Sequence, residues 1–288
     1  MIIYKEYDQE ALDLQYNNRA NALDHESHLQ KWEWVNRETE KKYTLHKNLA
    51  YGELERETLD IFPADHPNAK TLVFIHGGYW YKNGPFDVYL VAEAFRSYGI
   101  TTVLIGYPLM PDHPMEQLVA SCRKAIGWVD QNIADYHGNP DAVYVAGHSA
   151  GGHLAAMMMA TNWPQFDSVL PSNIIKGVCA ISGLYNLLPV QLCYVNEILK
   201  MDQATVSRNS PVQLLPETPC KLILAVGGEE TAEYKSQTQE LYTVWKEKGA
   251  DVEMMEINET NHFSVLTSLL NVSSPLPVAI RGLMHIVK

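Results

Sequence analysis

Serine, carboxylate and histidine side chains follow the ends of three successive apolar segments. Ser149 stands in the run Gly147-His148-Ser149-Ala150-Gly151, and His262 follows the last apolar segment. Between them along the chain, the acid is Glu229 or Glu230. A serine hydroxyl holds its proton tightly, so it attacks a carbonyl carbon only when a histidine accepts that proton and a carboxylate orients the histidine. The three residue types therefore predict acyl transfer by a nucleophilic serine.

Acyl transfer by a serine also needs groups that stabilise the oxyanion, and a glycine-rich loop supplies them. The run His76-Gly77-Gly78 follows an apolar segment at 71–75. Glycines at a strand end allow backbone N–H groups to approach a carbonyl oxygen without obstruction by side chains. We expect the N–H groups of both glycines and of Ala150 to form an oxyanion hole, with His76 bracing the loop.

Other titratable residues compete for these roles. Glu233 begins the helix after the acidic pair and is the weakest of the three acids. His148 adjoins the serine and is expected to turn away from it and support the site, whereas His153 lies one helical turn further and fits the core. His285 is too far from a strand end to replace His262.

Apolar strands and amphipathic helices alternate along the chain and must position these residues. Buried strands are predicted at 71–75, 100–105, 143–147, 175–181, 221–226 and 252–257, after strand-like sequence between 45 and 62. Helical patterns at 86–98, 115–134, 150–160 and 232–248 separate them. This alternation is typical of an α/β fold with a mostly parallel sheet of about eight strands and helices on both faces. The carboxyl ends of such strands gather catalytic loops at one edge.

The remaining segments are expected to cover the site. We predict one domain over 1–288, an aromatic amino-terminal arm of short amphipathic helices at 1–40, and a small lid at about 183–205. The aromatic and apolar residues nearest the site are candidates for a pocket that suits a small aryl substrate, and they are Tyr79, Trp80, Tyr185 and Leu188.

Composition narrows the class of protein. The formal charge is −12, from 22 Lys and Arg against 34 Asp and Glu, which disfavours nucleic acid and anionic membranes as partners. The start turns charged within five residues, no apolar run approaches a membrane span, and the four cysteines are far apart. We expect a cytoplasmic protein whose partners are a small-molecule substrate and water. The prolines at 274–277 and the apolar tail after them are compatible with packing on the domain or in a homo-oligomer.

Cofactor and metal motifs are missing from the sequence. It contains no G-x-x-x-x-G-K-[ST] phosphate loop and no G-x-G-x-x-G after a predicted strand. The scattered Asp, Glu and His residues also lack the spacing typical of metal ligands. We therefore expect neither a cofactor nor a metal ion.

Several of these motifs resemble those of a known family. His76-Gly77-Gly78-Tyr79-Trp80 resembles the HGGxW motif of kynurenine formamidases, also called arylformamidases. The run at 147–153 resembles the GHSAGGH elbow of that family and of related α/β-hydrolase esterases. The segments at 15–19, 227–234 and 261–263 are similar as well. The resemblance implies an α/β-hydrolase fold with Ser149 as nucleophile, Glu230 as acid and His262 as base. Glu230 departs from the Asp that is usual in animal and fungal formamidases.

Three functions are compatible with these motifs. The first is an arylformamidase-like amidase that works through an acyl-enzyme intermediate, and the second is a carboxylesterase of short-chain acyl esters. The third is a binding protein without catalysis, which the presence of all three triad residue types and both glycine motifs disfavours.

Overall fold

The computed structural model describes residues 1–286. Its strands are β1 His46–Ala50, β2 Thr58–Phe62, β3 Ala69–Ile75, β4 Thr101–Ile105, β5 Gly138–His148, β6 Ile175–Ile181, β7 Lys221–Gly227 and β8 Val252–Ile257. They form one eight-stranded sheet in the order β1-β2-β4-β3-β5-β6-β7-β8. β2 is antiparallel to both β1 and β4, and the remaining neighbours are parallel. The prediction of a mostly parallel eight-stranded sheet in an α/β fold is confirmed.

Helices precede β1, connect the strands from β3 onwards and follow β8. The α-helices are α1 Gln9–Tyr16, α2 Asn18–Asn21, α3 His25–Lys42, α4 Leu90–Arg96, α5 Met115–Asn132, α6 Ala150–Met159, α7 Trp163–Phe166, α8 Leu188–Leu192, α9 Asn196–Leu199, α10 Gln203–Asn209, α11 Ala232–Glu247, α12 Ser264–Thr267 and α13 Pro275–Leu283. Short 3₁₀ turns lie at Pro85–Val88, Ile133–Tyr136, Pro211–Gln213 and Ser268–Leu270.

The sheet is covered on both faces, which explains its continuous apolar strands. Side chains of β3 alternate between two hydrophobic clusters: Val73 and Ile75 pack in one, and Leu72 and Phe74 in the other. All four are at most 1% exposed. A strand buried on both sides gains hydrophobic stabilisation from every residue, so its sequence lacks the polar alternation of a half-exposed strand.

The amino-terminal arm packs over the domain through polar anchors. Lys5 Nζ lies 3.0 Å from a carboxylate oxygen of Glu233, and the fully buried Tyr16 donates its hydroxyl proton to the same carboxylate over 3.3 Å. α1 and α2 are short as predicted, whereas α3 has 18 residues.

The segment at 183–205 contains α8, α9 and the start of α10. The Gln237 side-chain oxygen accepts hydrogen bonds from the Tyr185 and Asn186 N–H groups, each over 2.7 Å. These bonds tie the segment to α11. Its role as a lid, like the assignment of 1–288 to one domain, stays a prediction.

No helix within residues 1–286 combines the length and the apolar character needed to cross a membrane.

Candidate active site

Ser149 lies at a sharp turn between β5 and α6. Its backbone has φ 58° and ψ −122°, a conformation that L-residues rarely adopt. The turn is possible because Gly151 packs directly against the carbonyl of Ile75, where a Cβ would overlap that oxygen. The strained turn lifts the serine hydroxyl over the carboxyl end of the sheet.

His262 connects Ser149 to a carboxylate. The loop after β8 places His262 Nε2 3.0 Å from Ser149 Oγ, and His262 Nδ1 2.7 Å from Glu230 Oε2. Because a carboxylate only accepts hydrogen bonds, Nδ1 carries the hydrogen and donates it to Glu230, and Nε2 is free to accept one from the serine. All three residues are buried: Ser149 is 4% exposed, Glu230 8% and His262 7%.

Further donors hold the Glu230 carboxylate. Its Oε1 accepts the Ser182 hydroxyl at 2.5 Å and the Gly227 N–H at 2.7 Å. The other two candidate acids lie elsewhere, because Glu229 is exposed and Glu233 pairs with Lys5. Within the described chain, Glu230 is therefore the acid that contacts the histidine.

The glycine loop after β3 lies against the serine. A Cβ on Gly77 would stand 2.9 Å from the His148 carbonyl oxygen and 3.1 Å from Ser149 Cβ. Gly78 has φ 112° and abuts the Lys82 carbonyl, so a side chain is excluded there as well. The N–H groups of both glycines and of Ala150 donate to no other group within 1–286, which leaves them available to a carbonyl oxygen.

Two buried histidines flank the reacting groups. His76 stacks on Tyr107 with ring centroids 4.2 Å apart and donates Nδ1–H to the Gly77 carbonyl over 2.8 Å. Burial lowers the pKa of His76 to about 4. His148 donates Nε2–H to the His262 carbonyl over 2.9 Å, and its ring lies 4.7 Å from the His262 ring. Burial, reinforced by the neighbouring His262, holds the pKa of His148 well below its usual value. A neutral His148 does not repel an imidazolium on His262.

A cavity of about 520 Å³ opens beside Ser149 and His262. His148 forms part of its wall, whereas the sequence suggested that this side chain turns away from the serine. Most of the remaining wall is built from the arm, the glycine loop and the turn after it, and the segment at 183–205 and the loop after β8 complete it. The wall includes Asn18, Arg19, Trp32, Glu33, Tyr79, Tyr81, Lys82, Phe86, Asp87, Tyr194 and Phe263.

Three of the four predicted pocket residues do not line this cavity. Tyr79 does. Trp80 is fully buried and donates its indole N–H to His153 Nδ1 over 3.1 Å, so it belongs to the core. Tyr185 is likewise fully buried, and Leu188 packs against the main hydrophobic cluster at the start of α8. The prediction is wrong for these three because their side chains face the core.

Comparison with known proteins places this geometry in a family. The BD-FAE family model matches residues 59–221, which is more than half of the chain. The chain belongs to the BD-FAE family. Kynurenine formamidase of Danio rerio is 33% identical over 231 residues, covering 78% of this chain and 76% of the relative. Esterase LipC of Mycobacterium tuberculosis is 29% identical over 150 residues, covering 50% of this chain and 37% of the relative.

A solved structure gives the same result for the fold. A protein of Silicibacter sp., described provisionally as a thioesterase, has a TM-score of 0.81 and 28% identity, covering 93% of this chain and 98% of that one. This BD-FAE member thus has the α/β-hydrolase fold and is related to kynurenine formamidases and esterases. It is a hydrolase of ester or amide bonds.

The sequence indicates that the arm covers the site of this BD-FAE member, but it does not single out the residues through which the arm contributes. Tyr79 donates its hydroxyl to the Tyr16 carbonyl over 2.6 Å, and Asn18 Nδ2 donates to the Tyr234 hydroxyl over 2.8 Å. The two tyrosine hydroxyls are 2.9 Å apart, and the Tyr234 ring lies 4.7 Å from the His262 ring. The signal for these residues in the sequence is the segment at 15–19, which resembles the kynurenine formamidases.

Metal ligands do not cluster in the described part of the chain. Residues 1–286 contain no group of three or more His, Cys, Asp and Glu side chains arranged to hold a metal ion.

Proposed function

We propose that this hydrolase cleaves a small aryl amide or ester, in the manner of an arylformamidase, through an acyl-enzyme intermediate. Ser149 is the nucleophile, His262 the general base and acid, and Glu230 the residue that orients the histidine. The observation that carries the proposal is the pair of hydrogen bonds from Ser149 Oγ to His262 Nε2 at 3.0 Å and from His262 Nδ1 to Glu230 Oε2 at 2.7 Å.

Acylation proceeds in two steps. Ser149 Oγ attacks the substrate carbonyl carbon while its proton moves to His262 Nε2, which gives a tetrahedral oxyanion and an imidazolium. Glu230 stabilises that imidazolium through Nδ1. The intermediate then collapses as Nε2 returns the proton to the leaving nitrogen or oxygen, leaving the acyl group on the serine. In deacylation, water attacks the acyl carbon while His262 Nε2 accepts a proton from it. Nε2 then returns the proton to Ser149 Oγ as the bond between Oγ and the acyl carbon breaks, which releases the carboxylic acid and restores the serine.

The oxyanion hole consists of the N–H groups of Gly77, Gly78 and Ala150. Its support is the close approach of the glycine loop to Ser149 and the absence of other acceptors for these groups within residues 1–286. In hydrolases of this type, the loss of one such donor typically lowers turnover about a hundred- to a thousandfold.

The aromatic wall of the cavity supports an aryl substrate. Tyr79, Tyr81, Trp32, Phe86 and Phe263 line a volume of about 520 Å³, which falls within the usual range for small-molecule sites. The likeness to kynurenine formamidase of Danio rerio supports a formamide as the scissile group.

A carboxylesterase of short acyl esters is the second candidate. It is supported by the likeness to Esterase LipC. The two activities share every step above and differ in the leaving group, because an amine leaves only after protonation whereas an aryl oxide leaves readily.

A serine substitution tests the mechanism. We expect Ser149→Ala to lose hydrolysis of aryl formamides and aryl esters, and a 4-nitrophenyl phosphonate to label the wild-type protein at the peptide that contains Ser149. Ser273→Ala, an exposed serine, is the matched control and should retain both activity and labelling. Full activity in Ser149→Ala, or labelling at another residue, would refute the mechanism.

Substrate preference is measured separately. Values of kcat/KM for N-formylkynurenine are compared with those for aryl esters of increasing acyl length. A formamidase should favour the formamide and the shortest acyl groups. A steep rise of kcat/KM with acyl length would reject the formamidase and leave the esterase.

A further inference from the structure

Both peptide groups that carry the glycine donors of the proposed oxyanion hole are anchored through their carbonyl oxygens. The Tyr107 hydroxyl donates to the His76 carbonyl over 2.8 Å, and His76 Nδ1–H donates to the Gly77 carbonyl over 2.8 Å. The C=O and the N–H of a trans peptide point in opposite directions. The first bond therefore fixes the direction of the Gly77 N–H, and the second fixes that of the Gly78 N–H.

Tyr107 lies in the loop after β4, which is neither helix nor strand at this point. Its side chain is fully buried and stacks on His76, and the Met110 N–H of the same loop donates to the Trp80 carbonyl over 2.9 Å. The loop after β4 therefore contacts residues on both sides of the two glycines. The glycine N–H groups keep their direction only if this supporting loop keeps its place.

Arg56 binds both the supporting loop and the turn that follows Trp80. Its Nε donates to the Tyr107 carbonyl over 3.2 Å, and its Nη2 donates to the Asn83 carbonyl. No carboxylate within residues 1–286 forms an ion pair with this arginine. Because the guanidinium donors are fixed in a planar fork, one side chain holds carbonyl oxygens from two different loops at once.

The hairpin that carries Arg56 is itself fixed to a helix. It comprises residues 51–57 and connects β1 to β2. Glu57 is fully buried, and its Oε1 accepts hydrogen bonds from the Ser121 hydroxyl over 2.7 Å and from the Lys124 ammonium over 3.2 Å. Both donors belong to α5. Because the residue next to Arg56 is tied to this helix, the guanidinium is placed at the two carbonyls before any substrate binds.

We propose that Arg56 is a positioning residue for the oxyanion hole: it holds two neighbouring loops together and thereby fixes the N–H groups of Gly77 and Gly78. Arg56 does not line the cavity, so it acts through these loops and not on the substrate. The proposal rests on the proposed function, in which the two N–H groups stabilise the tetrahedral oxyanion.

Two ketones measure the oxyanion hole separately from ground-state binding. A trifluoromethyl ketone adds to a nucleophilic serine and forms a tetrahedral oxyanion, whereas the matching methyl ketone binds without forming one. The inhibition constants of 4-phenylbutan-2-one and 1,1,1-trifluoro-4-phenylbutan-2-one are measured in the hydrolysis of phenyl acetate, and the ratio of the first constant to the second is the readout. For the wild type we expect a ratio of at least about a hundred.

Arg56→Gln should weaken the oxyanion hole and leave ground-state binding unchanged. We expect this ratio and kcat each to fall about tenfold, while KM and the inhibition constant of the methyl ketone stay within about twofold of the wild-type values. The loss is smaller than for removal of a donor, because the N–H groups remain and lose only their fixed direction. A role in stability alone would lower the melting temperature without changing the ratio.

Two further variants identify how Arg56 acts. Tyr107→Phe removes the hydroxyl from the His76 carbonyl and should also lower the ratio about tenfold, and its combination with Arg56→Gln should lose clearly less than the product of the two single losses. Burial, with the Arg56 charge as a smaller contribution, lowers the pKa of His76 to about 4, so an effect of charge has to be separated from positioning. Arg56→Lys keeps the charge but not the planar fork, and its ratio should stay close to that of Arg56→Gln.

Lys124→Gln is the matched control. It removes a cation that holds the same hairpin through Glu57 but leaves both contacts of Arg56 intact, so the ratio should stay within about twofold of the wild-type value. Thermal melting checks that each variant is folded. A wild-type ratio in folded Arg56→Gln or in Arg56→Lys, or an equal loss in Lys124→Gln, would overturn the proposal for Arg56 while the oxyanion hole stands. A wild-type protein that binds both ketones equally would instead reject the oxyanion hole, and with it the proposed function.

Discussion

Replacing Glu230 with Gln tests the triad most directly, because the substitution changes charge and hydrogen bonding with almost no change of shape. The carboxylate receives three donors: His262 Nδ1–H on Oε2, and the Ser182 hydroxyl and Gly227 N–H on Oε1. A glutamine has one acceptor oxygen. That oxygen can accept the hydrogen bonds of both Ser182 and Gly227, and the amide NH₂ then faces His262.

The expected loss follows from the histidine tautomer. An NH₂ group facing Nδ1 favours the tautomer with the hydrogen on Nε2, which cannot accept the proton of Ser149. A wrong tautomer in a serine triad lowers kcat about 10⁴-fold, or about 5 kcal/mol of transition-state stabilisation. We expect a loss of this order for Glu230→Gln in the steady-state hydrolysis of an aryl acetate.

The neighbouring acid provides the control. Glu229→Gln makes the same replacement of a carboxylate by an amide on an exposed side chain, and it should alter kcat by less than about twofold. Thermal melting of both variants checks that each one is folded. Glu230 does not orient His262 if Glu229→Gln loses activity while Glu230→Gln does not, or if a folded Glu230→Gln protein stays within about tenfold of wild-type kcat.

Three further predictions concern the surroundings of the triad. Ser182→Ala removes one donor from the Glu230 carboxylate and should lower kcat about tenfold with KM nearly unchanged, and a change in KM alone would contradict this. Tyr79→Phe removes the hydroxyl that bonds the arm, so urea unfolding should show a loss of about 1–3 kcal/mol together with a higher KM; equal stability and KM would contradict it. Burial lowers the pKa of His153 to about 4, so its unfolded form binds more protons between pH 6.5 and pH 4, and the free energy of unfolding should fall as pH falls through that window. His153→Gln should reduce this fall by about 3 kcal/mol, and an unchanged slope in urea titrations would contradict it.

The reacting groups could be predicted because local patterns encode them. Ser149 and His262 follow strands whose apolar runs are unmistakable, and the glycines mark the turns that expose them. The choice between Glu229 and Glu230 could not be made in this way. It depends on a turn in which the Glu230 N–H bonds the Gly227 carbonyl over 3.1 Å, which directs one side chain inwards and leaves the other in solvent.

The cavity wall could not be predicted because its residues depend on backbone direction. Tyr79 and Trp80 are adjacent, and both have positive φ values, 48° and 60°. Neither strand alternation nor helical periodicity applies to such a turn, so the sequence does not indicate which ring faces the cavity. Tyr79 reaches the cavity, whereas Trp80 enters the core beside His153.

Contacts of the arm could not be predicted either, because they join residues that are far apart in the sequence. Asn18 and Tyr234 bond across 216 positions, and Lys5 and Glu233 pair across 228. The pattern of each helix predicts which face is buried but carries no information about its partner. Only the folded chain brings these elements together.

The reacting groups and the cavity wall belong to different parts of the fold, so mutations in the two parts should affect activity differently. Ser149, Glu230 and His262 follow the carboxyl ends of β5, β7 and β8, which belong to the parallel part of the sheet. Much of the cavity wall comes instead from the arm and the turn after β3, which are joined by hydrogen bonds such as that from the Tyr79 hydroxyl to the Tyr16 carbonyl. Polar contacts of this kind contribute about 1 kcal/mol each, so the wall loosens at a lower cost than the sheet. Substitutions in the arm should therefore change KM and substrate preference first, and affect the chemical step only when the arm no longer covers His262.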